Sequence, residues 1–324
     1  MSQINTPGST ALISFSDAIE QVATHVSQTL VSIHSHNKGY GTGVIWDSDG
    51  HIVTCSHNVG RLEKVEVRLD NSNKSFEAKV IGNDFYSDIA VLQVEKNGVS
   101  NTAIPKPIEI GNSENLKAGQ FVLALANPHG EYPSITQGIV TSERTSIRGR
   151  GGWGWSSWAG MMDNIVITDT QLTPGFSGGP LVDVEGKMIG LNAAYISSRG
   201  IAIRTGKVKE VVDQVLRHGA VKTAFLGIVT DEISLPDEIA TQLESFQKEG
   251  IIVLSVGKDT AAKNAGLLIG DIIVKFNDEP ITDIHDLRRL LFKQDVIGKS
   301  VNLTIIRGEK KSQLTIVPQD AAPS

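Results

Sequence analysis

A serine hydroxyl becomes a useful nucleophile only when a base, an exposed position and a pocket for developing negative charge are supplied together. The segment Thr173-Pro-Gly-Phe-Ser-Gly-Gly-Pro-Leu-Val surrounds Ser177 with glycines. Without a Cβ, glycine lets backbone N–H groups turn toward a reacting carbonyl, so the amides of Gly175 and Ser177 are the expected oxyanion donors. The same residues satisfy Gly-x-Ser-x-Gly, the nucleophile elbow of a different hydrolase architecture. That elbow needs a helix directly after the serine and a histidine later in the chain. Here Leu181-Val-Asp reads as a strand, and the downstream histidines, His218 and His285, fall at a helix end and in a second domain. The base must therefore lie upstream.

Two upstream segments supply one. Gly50-His-Ile-Val-Thr-Cys-Ser-His sets His57 just beyond a strand, and Gly82-Asn-Asp-Phe-Tyr-Ser-Asp-Ile-Ala-Val-Leu sets Asp88 just before another. Imidazole titrates near neutrality and can take and return the serine proton. A carboxylate beside it fixes the tautomer and stabilises the imidazolium. Taken alone, each is an ordinary turn or strand-end residue; the order His, Asp, Ser with Gly-x-Ser-Gly-Gly-Pro makes the set specific. Cys55 is the only cysteine, which excludes an intrachain disulfide. It reads as a small buried hydrophobe packed behind His57. No nucleotide or metal motif occurs, so neither cofactor nor metal is expected.

The elements that must hold these residues are short. From Val31 to about Arg204, β-branched runs alternate with Gly, Asn, Asp and Ser, the pattern of a β-barrel or sandwich. A capped amphipathic helix over 16–31 precedes them, and a helix over 207–218, stopped by Gly219, follows them. Residues 218–224 read as a linker, after which 225–318 form an α+β domain with helical segments Thr260–Ala265 and Ile284–Phe292. The length of 324 residues suits two domains, and the 40% hydrophobic content lets each bury a core. A net charge of −6 argues against a nucleic-acid partner, and no apolar run is long enough to span a membrane. The first ten residues lack the features of a signal peptide. Taken literally, this places the protein in the cytoplasm, or outside it if a signal was trimmed. Three tryptophans, Trp153, Trp155 and Trp158, sit in a glycine-rich stretch that reads as a docking loop or a local packing cluster.

The segments Gly41-Thr-Gly-Val-Ile-Trp, Thr54-Cys-Ser-His, Ser87-Asp-Ile-Ala-Val-Leu, Asn127-Pro-His-Gly, Thr136-Gln-Gly-Ile-Val-Thr and Pro174-Gly-Phe-Ser-Gly-Gly-Pro-Leu resemble those of the HtrA (Deg) serine proteases. The resemblance runs from about residue 15 to 318. It implies a mainly β protein: a chymotrypsin-like double β-barrel over 1–222, with the site in the cleft between barrels, followed by a PDZ domain over 223–324. His57, Asp88 and Ser177 match the family's triad. Leu191, Asn192, Ala193 and Ala194 match the strand that pairs with substrate and helps line its S1 pocket. The Trp-rich stretch matches a regulatory loop. Phe176 stands where the family usually has Asn, and is expected either to reshape the oxyanion loop or to enter S1 in a resting site.

Phe225-Leu-Gly-Ile resembles a PDZ carboxylate-binding loop. In such a domain an extended peptide adds a strand and backbone N–H groups hold its C-terminal carboxylate. Leu226, Gly227 and Ile228 would form that edge, with Leu287 and Leu290, one helical turn apart, walling the pocket; His285 would face solvent. The resemblance as a whole implies an ATP-independent serine endopeptidase acting on unfolded or damaged proteins, assembled as a trimer through the N-terminal segment with Phe15 as its aromatic contact. The alternative is a chaperone or PDZ scaffold whose protease domain is resting or silent because of Phe176.

Overall fold

The computed structural model describes residues 7–35, 39–69, 75–85, 87–94, 106–143, 146–148, 161–219, 224–243, 246–291 and 296–320. Trp153, Trp155, Trp158 and Phe292, and the side chain of His285, lie outside that description. The β-branched runs do form strands. Strands β1 (Leu30–Ser35), β2 (Gly39–Ile45), β3 (His51–Cys55), β4 (Lys64–Arg68), β5 (Phe76–Asp84) and β6 (Ile89–Val94) close into an antiparallel barrel in the order β1-β2-β3-β6-β5-β4. Val31, Ile33, Ile45, Ile52, Val67 and Leu92 fill it. Closure gives every strand a neighbour on each side, although β3 pairs with β2 only over residues 43–45 of the latter.

A second barrel follows the same plan. Strands β7 (Phe121–Ala126) and β8 (Ser134–Ser142) come first, then a short antiparallel pair, β9 (Ser146–Arg148) with β10 (Met161–Asp163). Strands β11 (Ile165–Thr168), β12 (Pro180–Val182), β13 (Met188–Ile196) and β14 (Arg199–Arg204) complete the circuit β11-β14-β13-β12-β7-β8. A continuous apolar layer joins the barrels. Val44, Val53, Cys55 and Ile89 from the first meet Leu123, Leu125, Leu191 and Ile203 from the second. The helix Thr205–His218 adds Val208, Val211, Val212 and Val215 to this layer. It stops where expected: Gly219 adopts φ 71° and donates its N–H to the Val215 carbonyl at 2.8 Å.

The N-terminal helix differs from the sequence expectation. Helix α1 runs Pro7–Ser27, so Ser16 is an interior residue and not its cap. Proline is tolerated in a first turn, where its missing N–H has no intrahelical partner to lose. It ends at Ser27, where the N–H and hydroxyl of Thr29 both bond the Val26 carbonyl, at 2.9 and 2.8 Å, and the Gln28 N–H bonds the His25 carbonyl at 3.4 Å. Those bonds satisfy last-turn carbonyls, and Leu30 is already in β1.

The chain divides into two compact units, Met1–Val221 and Lys222–Ser324. In the second, β16 (Ile228–Ser234), β17 (Glu249–Val256), β18 (Ile272–Phe276), β20 (Val301–Arg307) and β21 (Lys310–Ile316) form one sheet in that order, with β19 (Glu279–Pro280) on β18. Strand β15 (Ala224–Phe225) pairs with β22 (Gln319–Asp320). The helix Ala261–Asn264 is capped by Thr260, whose hydroxyl accepts the Lys263 N–H at 3.3 Å. Leu226, Val253, Phe276, Leu287, Leu290 and Leu303 share the core. Asp271, almost wholly buried, is held by Arg307 through two bonds of 2.8 Å. Among the described residues no helix is long and apolar enough to cross a membrane.

Candidate active site

Asp88 precedes β6 in a left-handed conformation, φ 56°, which short polar side chains tolerate best after glycine. That twist turns its carboxylate toward the helical turn α2 (Ser56–Val59), where His57 sits. Both carboxylate oxygens are used: Oδ2 lies 2.7 Å from His57 Nδ1, and Oδ1 accepts the His57 backbone N–H at 2.9 Å. The Asp88 carbonyl also accepts from the Ser56 N–H at 3.0 Å. A carboxylate can only accept, so Nδ1 carries the proton and Nε2 is the basic ring nitrogen. Buried to 2% exposure, the Asp88 side chain is shielded while His57 keeps an open face of 19%.

The serine loop is brought to this pair by contacts between residues far apart in the chain. Asn58, next to His57, donates Nδ2 to the Ser177 carbonyl at 2.8 Å, and the Thr42 N–H donates to the same oxygen at 3.1 Å. Thr42 Oγ1 donates to the Gly175 carbonyl at 2.8 Å and accepts the Asn127 N–H at 2.9 Å. Gly178, at φ 84°, has no room for a Cβ, which would strike the Thr42 carbonyl and the Thr54 hydroxyl. Within the loop the Phe176 N–H reaches the Thr173 carbonyl at 3.1 Å, and the Gly179 N–H reaches the Phe176 carbonyl at 2.9 Å. The N–H groups of Gly175 and Ser177 donate to no partner among the described residues. The Ser177 hydroxyl donates to the Ala193 carbonyl at 3.2 Å.

Leu191, Asn192 and Ala193 lie on β13, each no more than 1% exposed. Ala193 is the one that meets the serine. Asn192 braces its loop: its N–H bonds the Gly179 carbonyl at 2.8 Å, its Nδ2 the Pro180 carbonyl at 3.0 Å, and its carbonyl accepts from the Gly178 N–H at 2.8 Å. Phe176 does not take the S1 position expected of it in a resting site. Its ring is 2% exposed and packs with Leu116, Val122, Ala126, Val140 and Val166 inside the second barrel, so it does not project into the cleft. Burial of an aromatic ring among aliphatic side chains is the favoured destination once the turn allows it.

Cys55 is fully buried and donates Sγ–H to the Asn192 carbonyl at 3.3 Å, linking β3 to β13. Its sulfur, a His57 ring nitrogen and an Asp88 oxygen all lie within 4.8 Å of one another. Metal binding there would need a thiolate. Burial first, and then the negative charge and hydrogen bond of Asp88, push the Cys55 thiol well above its ordinary pKa. As it stands, the trio is a His–Asp pair backed by a protonated thiol. Sequence reasoning missed Thr42 and Asn58 as braces; their signal was adjacency to glycine in Gly41-Thr-Gly and to His57.

In the second unit, Leu226 is buried and Gly227 adopts φ 82°, where a Cβ would strike the Thr260 side chain. The Leu226 and Gly227 carbonyls accept from Ala262 N–H at 2.9 Å and Gly257 N–H at 2.8 Å. Their own N–H groups donate to no partner among the described residues. Ile228 opens β16, the outermost strand of its sheet. Leu287 and Leu290 pack in the same cluster as Leu226, with Ile228 and Ile284 at its half-buried margin.

Two closed six-stranded barrels with a His–Asp pair and a glycine-bounded serine at their junction define a chymotrypsin-like peptidase domain. A trypsin-like peptidase domain model matches residues 41–191, and a PDZ domain model matches residues 210–317. The serine protease Do-like HtrA of Lactobacillus helveticus is 32% identical over 293 residues, covering 85% of this chain and 67% of that protein. The periplasmic serine endoprotease DegP of Escherichia coli K12 is 32% identical over 289 residues, covering 87% of this chain and 57% of its own. The solved HtrA-type protease AlgW with tripeptide has a TM-score of 0.68 at 26% identity, covering 96% of this chain and 98% of that one. The chain belongs to the HtrA family of serine proteases. It spans less than two thirds of the length of several curated relatives, as the 57% for the Escherichia coli protein illustrates.

Proposed function

We propose that this chain is an ATP-independent serine endopeptidase acting on unfolded or damaged proteins. One observation carries the reading: Asn58, the residue beside His57, ties the Ser177 loop to that histidine, whose ring is in turn fixed by Asp88. For attack, the Ser177 hydroxyl must leave the Ala193 carbonyl and engage His57 Nε2. Nε2 then takes the hydroxyl proton as the oxygen attacks a peptide carbonyl, and returns it to the leaving amine as the C–N bond breaks. The N–H groups of Gly175 and Ser177 receive the oxyanion. Water repeats the cycle on the acyl-enzyme and frees Ser177. None of these steps calls for a cofactor or a metal.

Strand β13 pairs with substrate ahead of the scissile bond, and a small or medium aliphatic residue is accepted there. The edge formed by Leu226, Gly227 and Ile228 takes peptide C-termini, with Leu287 and Leu290 backing the apolar pocket. Relatives with periplasmic names favour the exported reading over the cytoplasmic one. The buried Phe176 ring favours a site competent at rest over a silent scaffold. Casein digestion by the full chain and by Ser177→Ala tests the proposal, with a fluorophosphonate probe to report the nucleophile. Digestion and labelling by the wild type alone are expected. If wild type and variant are equally inert, and no labelling occurs even with a PDZ-binding peptide, the protein is a binding module.

A further inference from the structure

Three aromatic rings from both barrels meet beside the serine loop, and the proposed catalytic cycle uses none of them. His34 on β1 and Tyr40 on β2 are direct cross-strand partners, their rings stacked at 4.6 Å and 11°. His129, in the turn between β7 and β8, sets its ring edgewise on Tyr40 at 4.9 Å and 64°. The turn is anchored to the first barrel. Ser32 Oγ bonds the Pro128 carbonyl at 2.6 Å, and Arg68 Nη1 reaches the His129 carbonyl at 3.5 Å. The same Pro128 lies so close to Gly175 that a Cβ there would be 2.6 Å from it. Despite its two ring neighbours, Tyr40 remains 48% exposed.

The position of this cluster along a bound peptide follows from strand geometry. Ser177 is gripped from two flanks, by the Ala193 carbonyl of β13 and by the N–H of Thr42 on β2. If β13 carries the substrate ahead of the scissile bond, as proposed above, the β2 flank is left to the leaving-group side. Tyr40 is two residues from Thr42, about 6.6 Å along a strand. An extended peptide advances at the same pitch, roughly 3.3 Å per residue. Its second or third residue past the scissile bond therefore passes the Tyr40 ring. Tyrosine offers a large, stiff contact face at little conformational cost, and the stacked histidine holds that face in place before substrate arrives.

We infer that His34, Tyr40 and His129 form a leaving-group-side subsite that selects a large aromatic side chain two or three residues after the scissile bond. This rests on the endopeptidase reading and narrows its substrate class. Such side chains are buried in folded proteins and exposed in unfolded ones. The test uses the full chain and quenched fluorescent peptides built on a casein bond that the wild type cleaves. Phe or Gly is placed at the second and third positions after that bond.

The wild type should prefer Phe by about tenfold in kcat/KM, in the range a single apolar pocket gives. Tyr40→Ala should bring that ratio to within about twofold of unity, and Tyr40→Phe should retain it. A wild-type ratio near unity overturns the inference. So does Tyr40→Ala slowing both peptides in proportion, since a merely structural role lowers rates without changing the ratio. Failures of the two readings look different. A chain that labels with fluorophosphonate but shows no Phe preference loses this subsite alone, whereas one that neither labels nor cleaves loses the protease reading and the subsite with it.

Discussion

Cys55 illustrates how one residue couples the proposed site to the pH dependence of the fold. Burial and the neighbouring Asp88 carboxylate hold its thiol protonated well beyond the ordinary range. An unfolded cysteine titrates near about 8.5. Below that pH both states keep the proton, and the thiol adds no pH dependence. Above it the unfolded chain releases the proton while the native state retains it, so the native state binds more protons and stability falls as pH rises. The loss is about 1.4 kcal/mol per pH unit until the folded-state thiol itself titrates. Urea unfolding between pH 8 and pH 10 should therefore show a steeper decline for the wild type than for Cys55→Ser, which has no titrating group there. Parallel declines would remove the thiol as the cause. The same protonation makes native Cys55 inert to iodoacetamide at pH 8.

At the scale of the element, the serine loop is held by what its neighbours supply and by one side chain of its own. Phe176 separates the two proposed oxyanion donors, and its ring is locked in the second barrel. Removing that ring should loosen both donors at once. Phe176→Ala should cost about 3–5 kcal/mol in stability, the usual range for emptying an aromatic site. It should also slow fluorophosphonate labelling of Ser177 by at least roughly tenfold, about the effect of weakening one donor. Phe176→Leu should recover most of both. Thermal melting and labelling rates are the readouts, and a variant destabilised but labelled at the wild-type rate would show that the ring does not position the donors. The strands were legible because β-branched runs between turn residues have few other fates, and the triad because three weak signals occurred in one order. The fate of Phe176 was not, since local pattern cannot tell whether a bulky apolar residue in a loop faces a cleft or a core. Nor were the braces, because Asn58 lies 119 residues from Ser177 and Thr42 lies 133 from Gly175. The start of α1 escaped for a related reason: Leu12 and Ile13 extend the helix with apolar residues that the chain itself leaves uncovered.

At the scale of the whole molecule, that uncovered surface demands an explanation. Leu12, Ile13 and Phe15 on α1 are 72, 59 and 49% exposed, and Phe15 leans edgewise on Phe121 at 5.4 Å. Beside them an open cleft between α1 and strands β7 and β8 is lined by Ile19, Ala23, Leu123 and Ile135. Large apolar side chains left exposed together on one helix mark an interaction site. The expectation of assembly through the N-terminal segment accounts for it, with α1 of one chain covered by another copy. Light scattering should then give the wild type a multiple of 34.8 kDa, three copies if the trimer expected from the family resemblance forms, and the double variant Leu12→Glu, Ile13→Glu a mass near 34.8 kDa. A wild type that runs at the single-chain mass at tens of micromolar would defeat the proposal. Every group of the proposed catalytic centre, from Thr42 and His57 to Asp88, Ser177 and Ala193, comes from the first compact unit of one chain. The dissociated variant should accordingly still be labelled at Ser177. Labelling lost together with the mass would mean instead that packing around α1 holds the second barrel, and through it the serine loop, in working order.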